Sequence, residues 1–132
     1  MTDGRIKLVD ETGSTNADLR AQAAHWPEGR WLRSMSQSAG QGRLGRRWQG
    51  GSGNLYTSTL IRLRHDDPVV TGLSLMAGVA VHAALSRLMG HVPFMLKWPN
   101  DIMIDGAKLA GILLEREGGA VIVGIGVNVT SS

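Results

Sequence analysis

The sequence predicts an α+β (mixed α/β) domain, in which helices cover a largely antiparallel sheet. Short segments rich in β-branched residues are separated by glycine turns, which is typical of antiparallel strands. One long apolar segment has the spacing of a buried helix. The 132 residues, 42% of them hydrophobic, suffice for one core but not comfortably for two. We therefore expect residues 1–132 to form a single domain.

The N-terminal half is predicted to contain three strands and one helix. Arg5–Val9 and Trp31–Ser36 alternate between apolar and polar residues, and Leu55–Arg62 is rich in β-branched and aromatic side chains. Asn16–His25 has helical spacing. Its N-cap is expected to be one of three polar residues: Ser14, Thr15 or Asn16. Ala39–Asn54 contains six glycines without periodicity, which predicts a long loop.

The C-terminal half is predicted to begin with the long helix and to continue as a strand meander. The helix has Asp67 as its N-cap and Pro68 at its first position, and it ends at Gly90. Four strands follow: Phe94–Lys97, Asp101–Ile104, Lys108–Glu115 and Ala120–Val129. The dipeptides Asp105–Gly106 and Gly118–Gly119 predict tight hairpins between the last three strands.

Composition excludes several classes of protein. Because the chain has no cysteine, it has no disulfide, thiol nucleophile or cysteine-rich zinc site, and a reducing compartment is favoured. The uncharged stretch 69–85 is 17 residues long, shorter than the roughly 20 residues of a membrane span. We therefore expect a soluble, cytoplasmic protein.

Positive charge is concentrated in one segment. Seven of the 11 arginines lie between Glu28 and Asp66, where there is no acidic residue. Basic chains often bind nucleic acid, but a local arginine cluster favours a compact anion such as a carboxylate or phosphate. Nucleic-acid binding remains an alternative, although stacking aromatics are scarce in this segment.

The glycine-rich loop does not form a dinucleotide-binding fingerprint. Residues 40–45 match G-x-G-x-x-G, but the residues that follow include three more glycines, Gly50, Gly51 and Gly53, and cannot open the required helix. Such a loop can still bring backbone N–H groups and guanidinium groups to an anion. The alternative is a solvated surface loop with incidental charge.

Several sequence blocks occur in one order over almost the whole chain from Glu11 onward. These blocks are S-T-N (14–16), S-Q-S-A-G-Q-G-R-L-G-R-R-W (36–48), G-N-L-Y (53–56), K-W-P-N-D (97–101), K-L-A-G-I-L-L-E (108–115) and G-I-G-V-N (124–128). Together they resemble the signature of biotin–protein ligases. The resemblance implies a fold shared with lipoate ligases and related to class II aminoacyl-tRNA synthetases.

The resemblance also implies a two-step reaction. Biotin and ATP, with Mg²⁺, give biotinyl-5′-AMP and pyrophosphate, and the biotinyl group then passes to a lysine of a biotin carboxyl carrier protein, the acetyl-CoA carboxylase subunit. Joining a carboxylate to a phosphate brings two anions together, so such a site needs cations and close positioning. Lipoate ligation is less favoured, since that family's R-R-x-S-G-G-G stretch is absent.

The resemblance assigns roles residue by residue. The residues implied to bind biotin are Ser14, Thr15, Asn16, Gln37, Gln41, Gly42, Arg43, Lys108 and Gly111. Those implied to bind ATP are Arg43, Arg46, Trp48, Lys97, Asn100 and Asn128. Arg43 and Lys108 are the expected catalytic residues, and Asp101 is a candidate Mg²⁺ ligand. Strand alternation predicts that Lys108 shares a face with Ala110, which would leave room for a ligand beneath the ammonium.

Two departures from the family pattern bear on activity. Gln41 stands where the family usually has arginine, which removes one guanidinium from the loop. Family catalytic domains usually continue beyond the G-I-G-x-N block into helices and a small β-barrel, so we expect a domain incomplete at its C-terminus. An N-terminal helix-turn-helix is also lacking, so DNA binding is not expected. A domain that binds biotin or biotinyl-AMP without turnover is therefore the main alternative, and a homodimer remains open.

Overall fold

The computed structural model describes residues 4–40, 54–67 and 70–129. Within these ranges it contains seven strands and two helices. Their bounds are β1 Ile6–Thr12, α1 Thr15–Ala21, β2 Trp31–Gln37, β3 Leu55–Arg62, α2 Val70–Leu88, β4 Met95–Lys97, β5 Asp101–Ile104, β6 Ala107–Glu117 and β7 Ala120–Val127. The predicted α+β class is confirmed, and every predicted strand is present.

All seven strands form one sheet in the order β1-β2-β3-β7-β6-β5-β4. Strand β1 pairs with β2 in parallel, and every other pairing is antiparallel. After α2 the chain starts again at the far edge, and its last four strands return towards the centre. Strand β7 is thereby inserted between β3 and β6, and it pairs with β3 over eight residues, from Leu55↔Val127 to Arg62↔Ala120.

The two predicted hairpin turns are confirmed. Asp105 and Gly106 have φ angles of 49° and 79°, the left-handed values that a two-residue turn between β5 and β6 requires. At the next turn, between β6 and β7, Gly118 has a φ of 59°. An Asp-Gly or Gly-Gly pair adopts these angles with little strain, which explains why sequence alone located both turns.

The two helices lie on opposite faces of the sheet. Leu19 of α1 packs in a buried cluster with Leu60 of β3 and Ile122 of β7. Leu73 of α2 packs against the intervening residues of β7, Val121 and Val123. Because neighbouring residues of a strand point to opposite faces, this division assigns each sheet position to the α1 face or to the α2 face.

Helix α1 is shorter than predicted. It ends at Ala21 rather than His25, with Gln22 as its C-cap. The chain then turns: the Trp26 N–H donates to the Gln22 carbonyl at 2.9 Å, and the indole N–H donates to the Arg30 carbonyl at 2.8 Å. Trp26 is buried in the same cluster as Leu19, and this tertiary packing replaces the last helical turn.

Helix α2 agrees with the predicted long helix. It ends at Leu88, and the predicted first position, Pro68, lies outside the described residues. Neither helix in the described part of the chain combines the length and the hydropathy that a bilayer span needs.

Candidate functional site

A row of opposed residues crosses six strands at one level of the sheet. Its members, from β2 to β4, are Ser34, Tyr56, Gly126, Gly111, Asp101 and Lys97. Directly opposed residues point to the same face, so the row has polar groups at its ends and two glycines at its centre. Since strands lie about 4.8 Å apart, Tyr56 and Asp101 bracket a gap of about 14 Å without side chains.

The adjoining level extends this gap towards α1. There Ser58 of β3 opposes Gly124 of β7. We call Gly111, Gly124 and Gly126 the glycine trough. It lies on the α1 face. Ser58 and Gly124 are each two residues away from a residue packed under α1, Leu60 and Ile122 respectively, and residues two apart in a strand point to the same face.

One end of the trough holds a buried polar cluster. The Thr15 N–H donates to Gln37 Oε1 at 2.9 Å, and the Thr15 hydroxyl lies 3.3 Å from the same oxygen. Ser58, which is fully buried, places its hydroxyl 2.7 Å from Thr15 Oγ1. Ser14 caps α1, since its Oγ accepts from the Ala17 N–H at 3.2 Å. The structure thus brings the predicted Ser14, Thr15 and Gln37 together.

The other end of the trough holds charged groups. Lys108 Nζ lies 3.1 Å from Asp101 Oδ1, and both side chains are partly exposed. Lys97 is exposed and directly opposes Asp101 on the neighbouring strand. Two of the three lysines of the chain are therefore placed around one carboxylate at the edge of the trough.

The predicted alternation of β6 is wrong at Lys108, because the strand is irregular there. The pairing of β5 with β6 shifts after Ile102, so that Ala110 opposes Ile102 but Lys108 opposes Met103. Such a bulge moves the next side chain to the other face of the sheet. Lys108 therefore lies on the trough face beside Asp101, while Ala110 is fully buried in the core of the opposite face.

Two residues predicted to bind the nucleotide, Asn100 and Asn128, are hydrogen-bonded to β6. The buried Asn100 accepts from the Ile112 N–H at 3.0 Å through its backbone carbonyl, and its side-chain amide donates to the Ile112 carbonyl. Its Oδ1 is buried and has no hydrogen-bond partner among the described residues. Asn128 donates from Nδ2 to the Lys108 carbonyl at 3.3 Å. Both amides thus brace the backbone around Asp101 and Lys108, and their contacts with a nucleotide stay predictions.

The predicted biotin ligand Asn16 is buried between α1 and the sheet. Its Nδ2 donates to Glu115 Oε1 at 2.9 Å and lies 3.4 Å from the Leu113 carbonyl, while its Oδ1 lies 2.6 Å from the Ser58 hydroxyl. A Cβ at Gly124 would overlap Asn16 Oδ1, so glycine at this position makes the contact possible.

Five predicted site residues lie outside the described residues: Gln41, Gly42, Arg43, Arg46 and Trp48. Their roles stay predictions. The strands that flank this segment are described, and β2 and β3 pair so that Ser34 opposes Tyr56 in the row that crosses the trough. This segment, which the sequence predicts to be a loop, therefore lies in the chain between two strands that belong to the site.

Sequence reasoning gave no role to Tyr56, Ser58, Gly124 and Gly126. The sequence does contain a sign that Ser58 is buried. It lies two residues from Tyr56 and from Leu60, so it shares their buried face, and a buried polar side chain needs a hydrogen-bond partner. The glycines are recognisable as a trough only through cross-strand register, which the sequence does not contain.

The arrangement fits a magnesium ion held mainly by a substrate. The described residues contain no group of three metal-binding side chains. Asp101 offers one partly exposed carboxylate beside two ammonium groups. Mg²⁺ is commonly held by one or two carboxylates together with substrate phosphates, so a single carboxylate suits this role.

Comparisons with known proteins agree with this geometry. The profile of the biotin/lipoate A/B protein ligase family matches residues 8–131. The biotin–[acetyl-CoA-carboxylase] ligase of Paracoccus denitrificans is 36% identical, over 95% of this chain and 55% of the relative. The protein of the same name from Mycobacterium tuberculosis is 42% identical, over 97% of this chain and 50% of the relative.

A solved structure also matches. The biotin protein ligase of Aquifex aeolicus, in complex with biotin and ATP, has a TM-score of 0.84 at 35% identity. The similarity covers 95% of this chain and 52% of that one. The chain therefore spans about half the length of the relatives it matches. Because the profile matches residues 8–131, from within β1 to beyond the end of β7, the chain belongs to the biotin/lipoate A/B protein ligase family.

Proposed function

We propose that this domain activates biotin with ATP, forming biotinyl-5′-AMP and pyrophosphate. One observation carries the proposal: a polar cluster and a cationic cluster lie at opposite ends of a glycine trough on one sheet face. This matches a ligand with a polar head, an apolar middle and an anionic tail. Two relatives of this chain are biotin–[acetyl-CoA-carboxylase] ligases, and a similar solved structure is a biotin protein ligase in complex with biotin and ATP.

The polar end is suited to the ureido head of biotin. In the described part of the chain, Gln37 uses its Oε1 towards Thr15, and no hydrogen bond engages its Nε2. That amide therefore retains N–H donors for a ligand carbonyl. The trough then accepts the ring and the valeryl chain, because glycines let a ligand approach the backbone closely.

The cationic end is suited to the reacting groups. Lys108 and Lys97 supply positive charge where the biotin carboxylate meets the α-phosphate, and this charge lowers the repulsion between the two anions. Pairing with Asp101 restricts the Lys108 ammonium to the trough edge. Arg43 and Arg46, as the sequence predicts, add guanidinium groups for the carboxylate and the phosphates.

Asp101 would hold Mg²⁺ together with the triphosphate. The ion would neutralise phosphate charge when bound. Lys108 would then exchange its partner Asp101 for the substrate anions.

Transfer to a lysine of a biotin carboxyl carrier protein is the second proposed step, supported by the names of the longer relatives. Since ATP and such carriers are cytoplasmic, the cytoplasm is the proposed location. The coverage of about half of each relative favours a second candidate, a domain that binds or adenylates biotin without completing transfer.

A single assay separates the candidates. The protein is mixed with biotin, MgATP and a biotin carboxyl carrier domain, and pyrophosphate release and carrier mass are followed. Pyrophosphate together with a biotinylated carrier supports the full ligase, and pyrophosphate alone supports the adenylating domain. Biotin binding without pyrophosphate supports the binding-only domain. Absence of all three, with salt-sensitive nucleic-acid binding, would overturn the proposal in favour of the basic-segment alternative.

A further inference from the structure

We propose that Ser58 and Asn16 are positioning residues that hold the Thr15–Gln37 pair in the geometry that receives the ligand head. This inference rests on the proposed biotin site and deepens it. It also assigns Asn16 a different role from the ligand contact that the sequence resemblance implies. The buried groups of this cluster have few possible hydrogen-bond partners, and this restricts their orientation.

The orientation of the Gln37 amide is fixed by Thr15. A backbone N–H can only donate, so the Gln37 atom 2.9 Å from Thr15 N must be the oxygen. The amide nitrogen then points away from Thr15 and is left as a donor for a ligand. Any displacement of Thr15 would release this constraint and allow the amide to turn.

Thr15 is held in turn by Ser58. The Ser58 hydroxyl is fully buried, 2.7 Å from Thr15 Oγ1 and 2.6 Å from Asn16 Oδ1. It is thus the point at which two consecutive residues of α1 are attached to β3. Removing this hydroxyl would leave two buried oxygens to find new partners, which is costly and loosens the start of the helix.

The side-chain amide of Asn16 has no N–H left for a ligand. Both hydrogens of its Nδ2 are directed at acceptors of β6, the Leu113 carbonyl and Glu115 Oε1. Glu115 is held from its other oxygen by Arg20 Nη1 at 3.2 Å. The Asn16 amide is therefore committed to joining α1, β3 and β6, which is the behaviour of a positioning residue.

Gly124 leaves the space in which the Asn16 side chain meets Ser58. A Cβ at this position would overlap Asn16 Oδ1, so Gly124→Ala displaces the Asn16 amide without altering Ser58. Gly124→Ala and Ser58→Ala therefore disturb the same contact from opposite sides. A raised biotin Kd is expected in both variants, but because Gly124 also lines the trough, Ser58→Ala carries the test.

The test compares Ser58→Ala with Thr57→Val. Thr57 is the preceding residue of β3, is also buried, and donates its hydroxyl to the Leu32 carbonyl at 2.9 Å. It points to the opposite face of the sheet, so its variant loses a buried hydroxyl hydrogen bond without touching Thr15. The readouts are the Kd for biotin by calorimetry, the KM for ATP in pyrophosphate release, and the urea midpoint.

We expect Ser58→Ala to raise the biotin Kd about three- to tenfold, the equivalent of one hydrogen bond. The KM for ATP should stay within about twofold of the wild-type value, since the cationic end is untouched. Thr57→Val should lower the urea midpoint about as much as Ser58→Ala does, but it should leave the biotin Kd unchanged. If Ser58→Ala fails to fold, Ser58→Cys, which keeps the side-chain volume but forms weaker hydrogen bonds, supplies the same comparison.

Three results would overturn the inference: an unchanged biotin Kd in both trough-face variants, equal rises in the biotin and ATP constants, or the same rise in Thr57→Val. If the wild-type protein binds biotin but releases no pyrophosphate, the proposed adenylation fails while the Kd comparison still decides the positioning role. If the wild-type protein does not bind biotin, both proposals fail together.

Discussion

The two faces of the central sheet are built from alternate residues of the same strands, yet their chemistry is opposite. On β7, Val121 and Val123 pack under α2, whereas Gly124 and Gly126 line the glycine trough. The α2 face of β7 is filled with apolar side chains, whereas the α1 face is filled where α1 packs and lacks side chains at the glycine trough. Apolar packing under both helices therefore stabilises the sheet and leaves the glycine trough free to receive a ligand.

The largest expected effect concerns the charged end of the trough. Lys108→Ala should slow biotin adenylation by about 100- to 1000-fold, because a cation aimed at the developing charge is removed. Its pairing with Asp101 is partly exposed, so the free energy of unfolding should fall by less than about 1 kcal/mol. Pyrophosphate release and urea unfolding measure the two quantities.

Lys7→Ala is the matched control, since Lys7 is an exposed lysine of the edge strand β1 and lies away from the trough. Its activity should equal that of the wild-type protein. Wild-type activity in Lys108→Ala would remove the residue from the catalytic machinery.

The next largest effect is expected from a substitution on the α2 face of the sheet. Ile112→Ala should lower the free energy of unfolding by about 2–4 kcal/mol, because this nearly fully buried side chain packs with Leu73 of α2. The folded fraction should retain its biotin Kd. Urea unfolding and calorimetry below the unfolding midpoint test this separation of stability from binding. A large loss of biotin affinity without loss of stability would show that the two faces are not separate.

A smaller effect, on biotin affinity, is expected from a substitution in the glycine trough. Gly111→Ala adds a methyl group between Asp101 and Gly126, and should raise the biotin Kd about tenfold by filling the trough. Stability should change little, since Gly111 is not among the described glycines with positive φ. Gly119→Ala adds the same methyl group at a turn where nothing lies within 4 Å of it. If both variants bind biotin like the wild-type protein, the trough is not the ligand site.

The smallest effect concerns position 41, in the chain segment between β2 and β3. Gln41→Arg restores the guanidinium that the family pattern has at this position, and should lengthen the lifetime of bound biotinyl-AMP about three- to tenfold. The dissociation rate of the adenylate, measured by displacement with excess biotin, tests this. An unchanged rate would argue against a charge role for position 41, and Gln41→Met serves as the uncharged control.

Local chemistry made much of the fold predictable. The Asp105–Gly106 turn was predictable because few other residues adopt its two positive φ angles without strain. The bounds of β3 were likewise correct, since Leu55–Arg62 consists of residues that favour strands. The end of α1 was not predictable, because the burial of Trp26 against Leu19 overrides local helix preference.

The sequence named candidate site residues but did not reveal how they are arranged. Thr15, Gln37, Asp101 and Lys108 were all identified from motif blocks, and the structure places them at the two ends of one trough. The face on which Lys108 lies was predicted wrongly, because a bulge in the pairing of β5 with β6 reverses the alternation. No local pattern marks such an irregularity.

The sequence by itself determined the kind of element formed by each segment, the turns, the concentration of arginine and the family resemblance. These depend on backbone preference and residue type, which each segment carries locally. The tertiary structure alone decided that β7 enters between β3 and β6, and this pairing brings Gly126 between Tyr56 and Gly111. It also decided that Asn16 reaches Glu115. Both facts depend on contacts between residues far apart in the chain. Such contacts contribute free energy only once the sheet has formed.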